Sequence, residues 1–134
     1  MTRADRGLLD TSVFVAAESG RAIDSEALPE TSAISVVTLG ELQVGVLAPA
    51  TTPTRARRLG TLDAIADLEV LGIGEAEALA WARIRVALVE AGRRLNVNDA
   101  WIAATALSHG IPVVTQDDDF EPVADLVGLS VVRV

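Results

Sequence analysis

Short, largely apolar runs at residues 7–10, 31–35, 69–71, 111–115 and 130–134 alternate along this chain with longer stretches of helical periodicity. No other feature restricts the fold so tightly. Strands separated by a helix do not close as tight hairpins; they return in the same direction and lie parallel. Parallel strands are buried on both faces, which suits apolar runs such as Gly7-Leu-Leu and Ile111-Pro-Val-Val. The pattern predicts one α/β domain over residues 1–134, with a central parallel sheet of about five strands and helices on both faces.

Local signals place the helices. Thr11-Ser12 reads as the N-cap of a short helix over residues 13–18. Residues 21–30 are polar and read as a loop or a short helix. Ser35 can cap a helix running from Val36 to about Ala48, and Pro49 and Pro53 punctuate its exit. Residues 54–67 place Ala56, Leu59, Leu62 and Ile65 on one face, and residues 74–94 form the longest helix, with Leu79, Ala82, Val86 and Val89 in period. Asn96 to Asn98 reads as a break, after which a helix opens at Asp99 and ends at His109, with Gly110 closing it. A short turn is expected around residues 123–127.

Composition narrows the chemistry. The chain has no Cys, a single histidine (His109) and no Lys, so thiol nucleophiles, thiolate zinc sites, paired-histidine catalysis and Schiff bases are excluded. Eleven Arg face nineteen acidic residues, for a net charge of −8. That balance opposes nucleic-acid binding globally, yet the Arg cluster at 55, 57 and 58, at 83 and 85, and at 93 and 94, and a cation in an acidic pocket would reverse the local field. No apolar run reaches membrane-spanning length, and Met1 to Asp10 turns acidic before a signal-peptide core develops, so the expectation is a cytoplasmic protein without a membrane contact. With two Trp and no Tyr, base stacking is not the main source of any RNA affinity, and Trp81 and Trp101 read as core or interface.

Carboxylates are left to carry the chemistry. In an open α/β sheet, ligands bind beyond the carboxyl ends of the strands where strand order reverses. Asp10 closes the first strand and Asp117 follows the fourth, so the two face each other if those strands are neighbours. Asp10 is otherwise a helix cap, and so is Asp99, which opens an apolar helix. Glu41 lies inside Val36-Val-Thr-Leu-Gly-Glu-Leu-Gln-Val and either faces solvent or turns toward a site. Four such oxygen donors converging, with no His or Cys among them, match a hard cation such as Mg²⁺ or Mn²⁺.

Four segments, Leu8-Leu-Asp-Thr-Ser-Val13, Ser35-Val-Val-Thr-Leu-Gly-Glu-Leu42, Asn98-Asp-Ala-Trp-Ile-Ala-Ala-Thr-Ala-Leu107 and Val113-Val-Thr-Gln-Asp-Asp-Asp-Phe120, resemble in order and spacing the motifs of VapC-type PIN domains. The resemblance spans essentially the whole chain. It implies a three-layer PIN-like fold and an acidic metal site at Asp10, Glu41, Asp99 and Asp117. Thr115 corresponds to a hydroxyl that orients a carboxylate or touches phosphate, with Thr11 and Ser12 as possible helpers. Asp119 is a further candidate ligand, through water or in place of Asp117, and Asp118 reads as solvated. The implied activity is a Mg²⁺- or Mn²⁺-dependent endoribonuclease, the toxin of a VapBC-type toxin–antitoxin module. The implied partners are an RNA substrate, a VapB-type antitoxin whose tail blocks the acidic crevice, and a second copy in a homodimer.

Three rival classes fit the sequence less well. A receiver domain would want a Lys beside its aspartates, and this chain has none. A haloacid-dehalogenase-type phosphatase would want an Asp two residues after its nucleophile, where Ser12 stands. A catalytically inactive PIN-type domain that only binds RNA or a partner would be expected to lose some of the four acids.

Overall fold

The computed structural model describes residues 3–134, so the first two residues of the Met1–Asp10 segment lie outside it. Strands β1 (Arg6–Leu9), β2 (Thr31–Ser35), β3 (Glu69–Leu71), β4 (Val113–Thr115) and β5 (Val131–Arg133) form one sheet. All four pairings are parallel, in the order β3-β2-β1-β4-β5. The chain builds outward from β1 through β2 to β3, then crosses to the other side of β1 for β4 and β5. The reversal point therefore lies between β1 and β4, as the placement of Asp10 and Asp117 requires. Gly7 is needed in β1: a Cβ there would meet Val114 Cγ2 at 2.8 Å and Pro29 Cγ at 3.0 Å.

Helices α1 (Thr11–Glu18), α2 (Val36–Leu47), α3 (Thr52–Ala64), α4 (Glu75–Ala91), α5 (Val97–His109) and α6 (Glu121–Val127) cover the sheet, with a 3₁₀ turn at Ser25–Ala27. Side chains alternate along each strand, and the two cores follow that alternation. Leu8, Ala33 and Val113 point to one face and pack with Ile84, Leu88, Ile102 and Val123 of α4, α5 and α6. Leu9, Ile34 and Val114 point to the other, against Val13, Phe14, Leu42 and Ile65. Ile84 and Ile102 are both 0 % exposed, and each contributes about 2–3 kcal/mol of apolar burial. No described helix is long and apolar enough to cross a membrane.

Several boundaries differ from expectation. Thr11 and Ser12 are the first residues of α1 rather than its cap; Asp10 holds the cap position, but its side chain makes no capping bond. Helix α3 starts at Thr52, because Thr51 accepts from the Thr54 amide. In α3 Leu59 is exposed, while Leu62 and Ile65, the residue just past the helix end, turn inward. Helix α5 starts at Val97 instead of Asp99, capped by Asn96, which takes the amides of Asn98 at 2.9 Å and Asp99 at 3.4 Å. The turn near 123–127 is the full helix α6. The largest correction concerns α4: Leu79, Val86 and Val89 are exposed, while Trp81, Ile84 and Leu88 face the core. Trp81 stacks on Trp101 of α5, centroids 4.8 Å apart and planes within 9°, so the tryptophans join two helices rather than offering a platform.

Candidate active site

The crevice is assembled by the carboxyl ends of β1 and β4 and the helices that leave them. Asp10 follows β1 directly, and its amide donates to Val114 O at 2.8 Å, which holds it in the gap between the two strands. It is only 4 % exposed. Thr115, the last residue of β4 and fully buried, lies with its Oγ1 3.0 Å from Asp10 Oδ2 and 3.2 Å from Asp117 Oδ1. One hydroxyl proton thus serves two carboxylates. Ser12 adds a clasp: its Oγ stands 3.1 Å from Thr115 Oγ1 and accepts the Gln116 amide at 3.1 Å. Burial raises the Asp10 carboxyl above its usual range; hydrogen bonds from Ser12 and Thr115 oppose this, and repulsion from Asp117 reinforces it.

Helix α2 brings Glu41 to the same place. Thr11 Oγ1 donates to Glu41 Oε1 at 2.9 Å and lies 3.1 Å from Thr38 Oγ1, so the first residue of α1 ties α2 to the end of β1. Asp99 sits in the first turn of α5, and because Asn96 does the capping, its carboxylate is free to face the crevice. That carboxyl is pushed up to about 7, first by burial and then by repulsion from Asp10, Asp119, Asp117 and Glu41. Every one of the predicted acids therefore feels the same site.

The loop after β4 separates its three aspartates. The Asp117 carboxylate accepts the Asp119 amide at 3.1 Å, and Asp119 has its own carboxyl raised by partial burial and by Asp117. Asp118 turns away into an ion pair with Arg133, whose guanidinium also donates to Gln116 O at 3.1 Å. Arg133 and Gln116 thus pin the loop from outside. Neither is visible as a site residue in the sequence, because the contact depends on β5 lying beside β4. Thr38 was equally unmarked, although it stands one helical turn before Glu41.

The donor set fits a hard divalent ion in chemistry and charge: five carboxylates, no nitrogen or sulfur, and like charges with no cation among them. Among the described residues no three of these groups already close around one point as a chelate.

Sheet order, the acidic crevice at the β1–β4 reversal and the helical layers define a recognisable class: residues 7–126 match the PIN domain model, and the chain belongs to that family. Within it, the chain is 52% identical over 128 residues to Ribonuclease VapC5 of Mycobacterium tuberculosis, covering 96% of this chain and 95% of the relative. It is 44% identical over 121 residues to Ribonuclease VapC4 of the same organism, covering 90% and 93%. The crystal structure of VapBC-5, a member of the VapBC family of toxin–antitoxin systems from M. tuberculosis, superposes with a TM-score of 0.90 at 48% identity, covering 97% of this chain and 99% of that one. The chain is a homologue of the VapC ribonuclease toxins.

Proposed function

We propose that this protein is a metal-dependent endoribonuclease and the toxin of a VapBC-type pair, with Asp10, Glu41, Asp99 and Asp117 holding Mg²⁺ or Mn²⁺ and Asp119 available as a further ligand. The observation that carries the reading is the gathering of carboxylates at the β1–β4 reversal, where Asp10 and Asp117 share the Thr115 hydroxyl and the Asp99 carboxyl is pushed up to about 7 by burial first and then by repulsion from the other four acids. Such crowding has no structural benefit and is relieved by a divalent cation. When bound, that cation lowers the pKa of a water and neutralises charge on a phosphoryl oxygen. The chain's own groups do the rest. Thr115 and Ser12 fix the Asp10 and Asp117 carboxylates at the strand ends, and Thr11 fixes Glu41. Attack of water on the phosphodiester in line with the departing 3′-oxygen leaves a 5′-phosphate and a 3′-hydroxyl. We infer that the protein acts in the cytoplasm, where RNA substrates and a co-translated antitoxin are found.

The negative crevice suits a basic peptide as inhibitor, which supports a VapB-type antitoxin that reaches the carboxylates with an Arg. Self-association is supported by α4. Its exposed strip of Leu79, Val86 and Val89 carries Arg83 and Glu90 on either side of Val86 and Ala87. A twofold axis through the middle sets Arg83 of one copy against Glu90 of the other, so the face complements itself.

The test is cleavage of total RNA by purified wild type, Asp10→Asn and Asp117→Asn in EDTA, Mg²⁺ and Mn²⁺, with the new ends checked for 5′-phosphate. Cation-dependent cutting that both variants lose is expected. Cutting that persists in EDTA or in Asp10→Asn refutes the site. Cation binding without cutting in any RNA favours the binding-only PIN domain.

A further inference from the structure

A chain of net charge −8 repels a polyanion everywhere except where it gathers positive charge. Several of the eleven arginines are already engaged. Arg6, Arg93 and Arg133 are each in an ion pair with an acid, while Arg57 and Arg58 donate to Thr54 Oγ1 and Gly45 O. One hollow stands apart. At the C-terminal end of α4 and in the loop to α5, a concavity of about 470 Å³ is lined by Arg85, Arg93 and Arg94 over Leu88, Gly92 and Leu95, and no acid lines it. Arg94 is exposed, and among the described residues neither it nor Arg85 is in an ion pair. The Arg85 guanidinium carbon lies 5.8 Å from the centroid of the Trp81 ring, a contact that steadies the group and uses none of its five N–H donors.

This hollow leads to the crevice. It shares Arg93 and Arg94 with a neighbouring one whose other lining includes Asp118, the residue between Asp117 and Asp119. The acids on that side are matched, Asp118 by Arg133 and Asp125 by Arg93. Arg94 stands two residues before the cap of α5, and Asp99 lies one turn beyond that cap, so their Cα atoms are at most roughly 12 Å apart. We propose that Arg85 and Arg94 hold RNA phosphates next to the one that is cut, resting on the reading of the crevice as the site of RNA cleavage. The strand runs from the hollow across residues 92–96 to the carboxylates. Guanidinium forks match phosphate oxygens, and such contacts fix the register of a strand without reading its bases. Arg85 and Arg94 thus set how firmly the substrate is held, while the carboxylates set how fast it is cut.

The experiment measures binding of a mixed-sequence single-stranded RNA oligonucleotide to the Asp10→Asn protein in Mg²⁺, alone and combined with Arg85→Gln, Arg94→Gln, Arg94→Lys or Arg55→Gln. Binding is read at about 50 and about 200 mM salt, and kcat and KM for RNA cleavage are read for the same Arg changes in the wild-type background. Arg55 is the charge control, because α3 packs on the opposite face of the sheet from α4. Circular dichroism and light scattering check fold and mass. Arg85→Gln and Arg94→Gln are each expected to weaken binding about fivefold at the lower salt and to raise KM in step, with kcat unchanged. One lost phosphate contact lowers the salt slope by about 0.7, so that deficit should shrink about 2.6-fold at the higher salt. Arg94→Lys, which keeps the charge, should stay within about twofold of the parent, and so should Arg55→Gln. Equal weakening by Arg55→Gln overturns the proposal, because the effect then belongs to net charge alone. A deficit that salt does not reduce, or a fall in kcat at constant KM, overturns it as well. If the Arg85 and Arg94 variants bind and cut like their parents while Asp10→Asn cannot cut, this inference fails and the cleavage site stands. If no form binds or cuts RNA, both fall together.

Discussion

Replacing Asp99 by Asn keeps the shape of the side chain and removes the charge that crowds the crevice. In the metal-free fold this carboxyl is held at about 7 against its usual 3.8. The folded protein therefore keeps a proton that the unfolded chain has already released, and the stability linked to Asp99 falls as pH rises from about 4 to about 7 and stays lost above. At 1.36 kcal/mol per pH unit the ceiling is about 4 kcal/mol. Asp99 is only partly buried, and solvent screening reduces this to about 2 kcal/mol. A negative charge in the first turn of α5 works the other way, by about 0.3–1 kcal/mol, so crowding wins. Melts in EDTA at about pH 5 and about pH 8 traverse most of the window, and a domain this size shifts by about 3–4 °C per kcal/mol. Between those pH values wild type should lose about 4 °C more than Asp99→Asn, and at the higher pH the variant should melt above wild type. Mn²⁺ at about a hundred times its Kd should add about 2.7 kcal/mol to wild type and much less to the variant. A variant that melts below wild type at about pH 8 in EDTA would refute the reasoning, because Asp99 would then be stabilising α5 rather than straining the crevice.

Asp10→Asn and Asp117→Asn should each lower cleavage by at least about a hundredfold with circular dichroism unchanged, and Glu41→Gln should lower it less; equal rates across the set would show that the carboxylates do not act together. Thr115→Val removes the shared donor and should cost about 1–3 kcal/mol of stability at neutral pH and about 10- to 100-fold in metal affinity, read by denaturant melts and calorimetry. Asn96→Ala should cost about 1 kcal/mol through the lost cap of α5, in contrast to Asp99→Asn, and the two denaturation curves separate capping from charge. Val86→Glu places four carboxylates on a twofold α4 interface with two Arg, and light scattering should report a monomer; an unchanged mass would move the self-association face elsewhere.

What the sequence revealed depended on whether a signal was local. Ser35 announced α2 correctly because an N-cap is satisfied by the next two residues, and its Oγ accepts the Val37 amide. The start of α5 is ambiguous in the sequence because Asn96 and Asp99 are both good caps; in the fold Asn96 takes the amides of Asn98 and Asp99, and Asp99 falls inside the first turn. On α4, Leu79-Val86-Val89 and Trp81-Ile84-Leu88 have equally regular helical spacing, and only the position of α5 and its Trp101 decides which stripe is covered. The strand ends gave Asp10 and Asp117 because α/β topology dictates where ligands sit. Thr38, Gln116 and Arg133 act through contacts between remote segments and leave no mark in spacing.

The strand order has a consequence in time. β1 is flanked on one side by β2, made soon after it, and on the other by β4, and the Thr115 hydroxyl reaches Asp10 across 105 residues of chain. A nascent chain can lay down β1, β2 and β3 early, but the gap beside β1 stays vacant until β4 has been synthesised and released. At about 5–20 residues per second, the stretch between them takes roughly 5–20 s to emerge. Until then the chain has Asp10 without the Thr115 hydroxyl and the Asp117 carboxylate that lie beside it in the finished fold. A partner translated alongside has the same interval in which to be ready.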